Sequence, residues 1–313
     1  MPLKKSGKSR RTTGYSRSKG QNSLYGPPPL VSFGWLLGAA ATAVGIGAAG
    51  AYLVLCLIFY QNQAMMIFHP SKTVAKTPAS AGLPYQEIAL DPTTSGQPQI
   101  TGWWVPAAKD AAYRSDTVLY LHGASGSLSD TVAQIQALHV FGINVFAIDY
   151  RGYGKSAAIR PTEQTADEDA LAAWTYLTAT RNLPATSLVV FGEGAGAIFA
   201  THLAAERSVA ALVLAQISPP AHEIFEQDAR ARLLPLFLLA KEHMNPVPEL
   251  KRSSTPKMFL EWPEKSGLGP SVTRRDFALA AEPKQIASLP VASPEAVANA
   301  VEPFLKQILP VAH

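Results

Sequence analysis

The chain has 313 residues, 47% of them hydrophobic and 16% charged, enough apolar material for a sizeable core and too much for a wholly disordered chain. Its net charge of +4 does not describe a basic surface. Seven basic residues (Lys4, Lys5, Lys8, Arg10, Arg11, Arg17 and Lys19) crowd the first 20 positions without an acid among them. The remainder holds 20 basic against 23 acidic residues, which excludes a basic nucleic-acid-binding body.

Residues 1–29 are rich in Ser, Gly and Lys/Arg and almost free of apolar residues before Leu24. Such a tail is expected to be disordered, because it cannot bury enough surface to offset its chain entropy. Residues 30–60 then run for 31 positions without a charge, beyond the ~20 needed to cross a bilayer, and read as a transmembrane helix. Lys and Arg precede the span and Gln61, Asn62 and Gln63 follow it. The positive-inside bias therefore places the N-terminus in the cytoplasm and the body outside, in the periplasm or the extracellular space.

Tyr52, Phe59 and Tyr60 fall at the outer interface. The apolar stretch is about twice the ~7–15 residues of a cleavable signal peptide, so an uncleaved signal anchor is expected. Gly34, Gly38 and Thr42, with Ala41, Gly45 and Ala49, form small-residue rows spaced for helix pairing, and a homo- or hetero-oligomer through this helix is the corresponding partner expectation. Cys56 is the only cysteine, so no disulfide forms within the chain. Leu55 stands before it where a lipoprotein cleavage box needs a small residue, which argues against lipidation.

Residues 61–80 read as a linker and residues 81–313 as one domain. Tyr85–Leu90 and Gln99–Val105 have strand length and flank the turn-forming Pro92-Thr93-Thr94-Ser95-Gly96, predicting an antiparallel hairpin. Thr117–Leu121 predicts a buried strand ending in His122-Gly123, and Asp130–Phe141 a helix with Val132, Ile135, Leu138 and Phe141 on one face. Asn144–Ile148 is the next strand, running into Asp149-Tyr150-Arg151-Gly152-Tyr153-Gly154. Thr165 and Glu168 form a capping box opening a helix whose apolar face is Ala170, Leu171, Trp174 and Leu177. Further strands are expected at Ala210–Ala215, Lys257–Leu260 and Ile286–Val291. Ala221–Glu242 reads as mostly helical and Glu295–Leu309 as a final helix. Strands alternating with helices at this spacing predict an α/β fold, a mostly parallel central sheet with helices on both faces.

One stretch organises the rest. Leu188-Val189-Val190-Phe191 is an apolar β-branched run; it enters Gly192-Glu193-Gly194-Ala195-Gly196 and leaves as a small-residue helix. This is the strand–turn–helix setting of a G-x-S-x-G nucleophile elbow, with Gly194 where the serine belongs. Together with Leu121-His122-Gly123, the Asp149–Ser156 segment and Pro161-Thr162-Glu163, in this order and spacing, the chain resembles the α/β-hydrolase superfamily over residues 65–310. It is most similar to membrane-anchored serine hydrolases related to serine aminopeptidases and palmitoyl-protein thioesterases.

The resemblance implies the α/β-hydrolase fold and a serine, acid and histidine following successive strands. Hydrolysis of that kind needs a nucleophilic oxygen, an imidazole to take its proton and a carboxylate to orient the ring. Gly194 has no side chain. After the strand at Lys257–Leu260 only Glu264 is available, one residue out of register, and Gln216 holds the alternative acid position. No histidine lies between His243 and His313. Ala195 and Ala124 stand where the resemblance places the N–H groups of an oxyanion hole, which can bind a carbonyl or carboxylate oxygen without forming an acyl-enzyme.

Ser125 and Ser127, in the loop after His122-Gly123, are candidate displaced nucleophiles, although serines in Gly-rich loops are commonly turn formers. His122 is a candidate base or a loop brace, Glu193 a candidate for polarising water, His202 and His222 read as packing or surface residues, and His313 reaches the site only if the chain end folds back. Gly192-x-Gly194-x-x-Ala197 satisfies a loose dinucleotide fingerprint, but it follows a late strand and no acid ends the next one. No His/Cys/Asp/Glu cluster has metal-ligand spacing, so neither metal nor cofactor is expected. The sequence therefore predicts a membrane-anchored domain of hydrolase ancestry whose hydrolytic site has decayed, acting through a small acyl or peptide ligand or a protein partner. An active esterase, thioesterase or peptidase with a rearranged site is the alternative, and a dinucleotide enzyme a remoter one.

Overall fold

The computed structural model describes residues 31–93, 95–263, 269–291 and 293–309. The basic tail, Glu264 and His313 lie outside the described residues. The chain forms two compact units divided between Leu53 and Val54. Helix α1 (Phe33–Asn62) is uninterrupted, and with its 3-10 extension to Met66 it is long and apolar enough to cross a membrane. Its side chains as far as Val54 are exposed.

Two short strands, β1 (His69–Pro70) and β5 (Ser125–Gly126), pair with each other, and the larger unit is otherwise built on an eight-stranded sheet. In chain order the strands of that sheet are β2 (Gln86–Leu90), β3 (Ile100–Val105), β4 (Tyr113–Leu121), β6 (Ile143–Asp149), β7 (Leu188–Glu193), β8 (Ala211–Ala215), β9 (Lys257–Glu261) and β10 (Lys284–Ser288). Their spatial order is β10-β9-β8-β7-β4-β6-β3-β2. Only β3 runs against the others, so its pairings with β2 and β6 are antiparallel and all the rest are parallel. The hairpin reading of residues 85–105 therefore holds. The central strands are continuous Val/Ile/Leu/Phe runs because a parallel sheet is covered on both faces and neither side of the strand meets water.

On one face lie α2 (Val132–His139) and α9 (Pro294–Ile308), which close over Val118, Tyr120, Val145, Val189 and Val213. On the other lie α3 (Glu163–Thr175), α4 (Ala195–Glu206) and α8 (Gly269–Leu279), over Leu119, Phe146, Val190, Leu212 and Phe259.

Four expectations need correction. Residues 61–80 are no free linker: Gln63, Ala64, Ile67 and Phe68 are buried, and β1 is held in parallel against β5. The α3 capping box is Thr162 with Thr165, whose side chains and backbone N–H groups satisfy each other at 2.8 and 3.1 Å. Glu168 is unavailable for that role because it accepts from Arg151 at 2.7 Å. Residues 221–242 hold only short pieces, α5 (Ala221–Phe225), a 3-10 turn at Ala231–Leu233 and α6 (Leu236–Leu239), since Pro235 removes a backbone donor and breaks any longer helix. α7 (Val247–Leu250) and α8 were not foreseen. In α8 the inward set mixes Val272 with buried Thr273 and Asp276, which hides the apolar period.

Candidate active-site cleft

β7 lies between β4 and β8, parallel to both, and its apolar side chains are buried on each face. Its carboxyl end opens at the middle of the sheet edge, where ligands of open α/β sheets bind. There the chain reverses within one residue. Gly194 has φ +59° and ψ −119°, and α4 begins at Ala195. This left-handed backbone is costly for any residue with a Cβ, so the turn has the strained geometry that elbow nucleophiles occupy.

The three glycines of the turn are not equivalent. A Cβ on Gly192 would collide with the carbonyl of Gly196 and the backbone of Ala197, and a Cβ on Gly196 with the carbonyls of Leu121 and His122. Strand, turn and helix approach so closely that these two positions admit no side chain. A Cβ on Gly194 would meet only Gly123 Cα and Ser218 Oγ, each at 3.5 Å, an ordinary contact. Packing thus requires glycine at the two outer positions and leaves the central one free for a side chain the sequence does not supply.

Gly194 forms part of the floor of a cleft of about 680 Å³, whose lining includes His69, His122, Ser125, Glu193, Gln216, Ser218 and Trp262. Ala124 lies on its wall; Ala195 is fully buried beneath the turn. As the first residue of α4, Ala195 presents an N–H without an intrahelical acceptor.

The segment after β6 fixes the wall carrying Ala124. Tyr153 donates its hydroxyl to Ala124 O at 2.6 Å, and Tyr150 donates to His122 O at 3.1 Å. Arg151 is tied to Asp169 at 2.6 Å and to Glu168, anchoring the segment to α3. Ser156 donates to Asp149 O and accepts from Thr101 N. The motif Asp149–Ser156 is therefore a clamp on the loop after β4.

His122 braces the loop through Nδ1. Its Nδ1 lies 2.7 Å from Gly123 O, which only accepts, so Nδ1 carries the proton. Nε2 faces Asp149 Oδ1 at 3.6 Å, too far for a hydrogen bond, and has no partner among the described residues. Burial pushes the ring down to about 4 and pushes Asp149 up to about 7.

The other sequence candidates separate. Ser127 is buried, donates to Thr73 O at 3.0 Å and caps the turn that follows, which removes it as a nucleophile. Ser125 is exposed in the cleft, with its Cα opposite that of His69 in the two-stranded sheet; among the described residues no hydrogen bond joins their side chains. Glu193 accepts from the Tyr120 hydroxyl at 2.7 Å, and burial raises its pKa. Gln216 clamps the exit of β9 through two hydrogen bonds with the Trp262 backbone, at 3.1 and 3.2 Å. His202 pairs with Asp167 at 3.1 Å between α4 and α3, away from the cleft. His222, on α5, is exposed and is not among the residues lining the cleft. Among the described residues, no imidazole atom lies within 4 Å of a Cβ built on Gly194, and no three His, Cys, Asp or Glu residues group as metal ligands.

Sequence reasoning missed two residues. Glu261 ends β9 and is buried, but its carboxylate is held by Arg274 and Ser288 and does not line the cleft. Ser218 follows β8 with its hydroxyl beside Gly194, and its N–H donates to Gly194 O at 3.2 Å. A serine three residues past a parallel strand was the available signal for it.

The spatial strand order, the crossover pattern and the turn after β7 are those of the α/β-hydrolase fold, and comparison with known proteins agrees. Residues 113–266 match the family model described as serine aminopeptidase, S33. An uncharacterized protein of Mycobacterium tuberculosis is 31% identical over 252 residues, covering 80% of this chain and 86% of the relative. Protein bem46 of Schizosaccharomyces pombe is 25% identical over 178 residues, 54% of this chain and 58% of that one. Among solved structures, an esterase of Pyrococcus furiosus superposes with a TM-score of 0.59 at 19% identity, covering 77% of this chain and 97% of the esterase, a likeness of fold. The chain belongs to the α/β-hydrolase superfamily.

Proposed function

We propose that this protein is a membrane-anchored member of the superfamily that has lost Ser–His–acid hydrolysis and works by binding a small acyl or peptide ligand in the cleft at Gly194. The observation that carries the reading is the elbow itself. Its backbone is held in the nucleophile conformation by two glycines that packing requires, while the central position has space for a side chain and none is present. An ester hydrolase lacking both hydroxyl and base at this point has no route to an acyl-enzyme. The Ala124 and Ala195 N–H groups remain as donors for a carbonyl or carboxylate oxygen. Met66, Ile67, Ile224 and Trp262 supply apolar wall for an acyl or side-chain group. Helix α1 is the anchor, and the charge asymmetry around it supports a cytoplasmic N-terminus with the body outside.

The test uses the full chain in detergent. It should not label with a fluorophosphonate probe or hydrolyse nitrophenyl esters. Short fatty acids or acylated dipeptides should raise its melting temperature, and Gly194→Val, which fills the floor of the cleft, should abolish that rise. A second reading, an active hydrolase with a rearranged site, is favoured by Ser218, whose hydroxyl stands 3.5 Å from where an elbow Cβ would be. Labelling that vanishes in Ser218→Ala or Ser125→Ala, with no ligand-induced stabilisation, would establish that reading instead.

A further inference from the structure

Residues 229–241 connect the short pieces that follow β8, with the sequence Ala-Arg-Ala-Arg-Leu-Leu-Pro-Leu-Phe-Leu-Leu-Ala-Lys. Part of this apolar run packs inward: Leu234 is buried, and Leu236 and Leu239 rest against the core. The rest points outward. Phe237 is 87% exposed and Leu238 70%. A surface helix of a protein surrounded only by water carries polar residues on its outer face. α6 is apolar on both faces.

The position of the segment identifies what covers it. Gln63, three residues past the uncharged stretch and buried, donates to Leu239 O at 3.0 Å and accepts from Lys241 N at 2.6 Å. Phe59 meets Phe225 edge to face at 5.2 Å, and the Lys241 ammonium sits 3.6 Å from the Tyr60 ring centroid. The exposed apolar residues are thus fixed beside Phe59 and Tyr60, the aromatic end of the stretch read as the span. Arg230, Arg232 and Lys241 flank them, and residues 229–241 contain no acid. Arg230 is paired with Asp228 yet keeps 82% of its side chain exposed. An apolar face edged by cations is the composition of a segment lying in the headgroup region of an anionic bilayer.

We propose that residues 229–241 form a second, monotopic membrane contact, with Phe237 and Leu238 inserted into the same bilayer leaflet from which α1 emerges. The contact rests on the reading of α1 as a membrane span. It would hold the body at the lipid surface and place the cleft, whose wall includes Met66, Ile67 and Ile224, beside the lipid phase.

The test uses the full chain with Cys56→Ala, reconstituted in phosphatidylcholine vesicles with and without phosphatidylserine. A nitrobenzoxadiazole probe is attached at Phe237→Cys or, as control, at Val140→Cys. Val140 is 77% exposed and precedes β6, so it lies at the opposite edge of the sheet. Flotation reports the anchor; quenching by spin-labelled lipid reports the contact. A probe held ~5–10 Å into the interface should lose about half its emission or more at position 237 and almost none at 140, with deeper quenching when phosphatidylserine is present. A chain that floats but is quenched equally little at both positions would overturn this contact and leave the anchor standing. A blue-shifted but unquenched probe at 237 would show protein, such as a second copy, covering the face, and would overturn it as well. A chain that fails to float overturns both readings.

Discussion

Gly194→Ser separates the shape of the elbow from its chemistry. The new Cβ meets Gly123 Cα and Ser218 Oγ at 3.5 Å, so no clash opposes it. The cost is conformational: a non-glycine residue at φ +59° and ψ −119° costs on the order of 1–3 kcal/mol. For a domain of this size each kcal/mol lowers the melting temperature by roughly 2–4 °C. The variant should therefore fold, melt about 2–12 °C lower, and still fail as an esterase, because among the described residues no imidazole atom lies within 4 Å of the new Cβ and the His122 ring is buried and tied through Nδ1 to Gly123 O. Any acceleration of nitrophenyl ester hydrolysis should stay within the ~10³–10⁴-fold over water that binding and an oxyanion hole supply alone. Calorimetry, ester turnover and fluorophosphonate labelling read the three expectations on one preparation. Stoichiometric labelling of the introduced serine, with turnover typical of the fold, would refute the reasoning, since it would require one of the cleft's imidazoles, His69 or His122, to reach the new hydroxyl. Failure of the variant to fold would refute the steric part.

The outer glycines should behave in the opposite way. Gly192→Ala and Gly196→Ala each drive a methyl into backbone carbonyls and should yield little soluble protein, a contrast visible in expression and circular dichroism beside Gly194→Ala. Asp149→Asn should change how stability depends on pH. The folded protein holds the Asp149 carboxyl near 7 against 3.8 unfolded, so its stability contribution is complete below about 4 and is lost as pH rises toward 7. His122 acts in the other direction, its contribution complete above 6.5 and lost as pH falls toward about 4. The two slopes cancel between about 4 and 6.5 in the native chain. Asp149→Asn removes only the falling slope, so the stability of the variant relative to wild type should climb by about 1.4 kcal/mol per pH unit between about 4 and 7, to a gain of up to ~4 kcal/mol at pH 8, measured by denaturant titration. A pH-independent difference would refute the assignment. Tyr153→Phe removes the hydroxyl that holds Ala124 O and should cost about 1 kcal/mol, with loosened amide-exchange protection at residues 122–126. Gln63→Ala leaves Leu239 O and the Lys241 N–H short of a partner and should cost about 1–3 kcal/mol, with exchange rising first in residues 236–242.

Much of the site was legible because its signals are local. A strand such as Leu188–Phe191 declares itself by a continuous apolar run, and a turn such as Gly192–Gly196 by residues that only a crowded reversal needs. The missing serine is a fact of composition at one position. The other errors arose where distant contacts overrode local pattern. Thr165 and Glu168 have capping-box spacing, but α3 starts at Glu163, so Thr162 is the N-cap, Thr165 its partner in the box, and Glu168 is drawn to Arg151. Residues 221–242 have helical composition, but Pro235 and the inward pull on Leu234 break the run. Ser127 looked as free as Ser125 until Thr73, 54 positions away, accepted its hydroxyl.

By itself the sequence determined the uncharged span, the succession of strands and helices, and the absence of a nucleophile at Gly194, because each depends on residues close together in the chain. Only the tertiary structure decided that Gly192 and Gly196 are barred from side chains while Gly194 is not, that His122 is a buried brace, and that residues 63–70 are built into the body. Those outcomes depend on which backbone and which partner arrive from far along the chain, and packing at van der Waals distance is a property of that meeting alone.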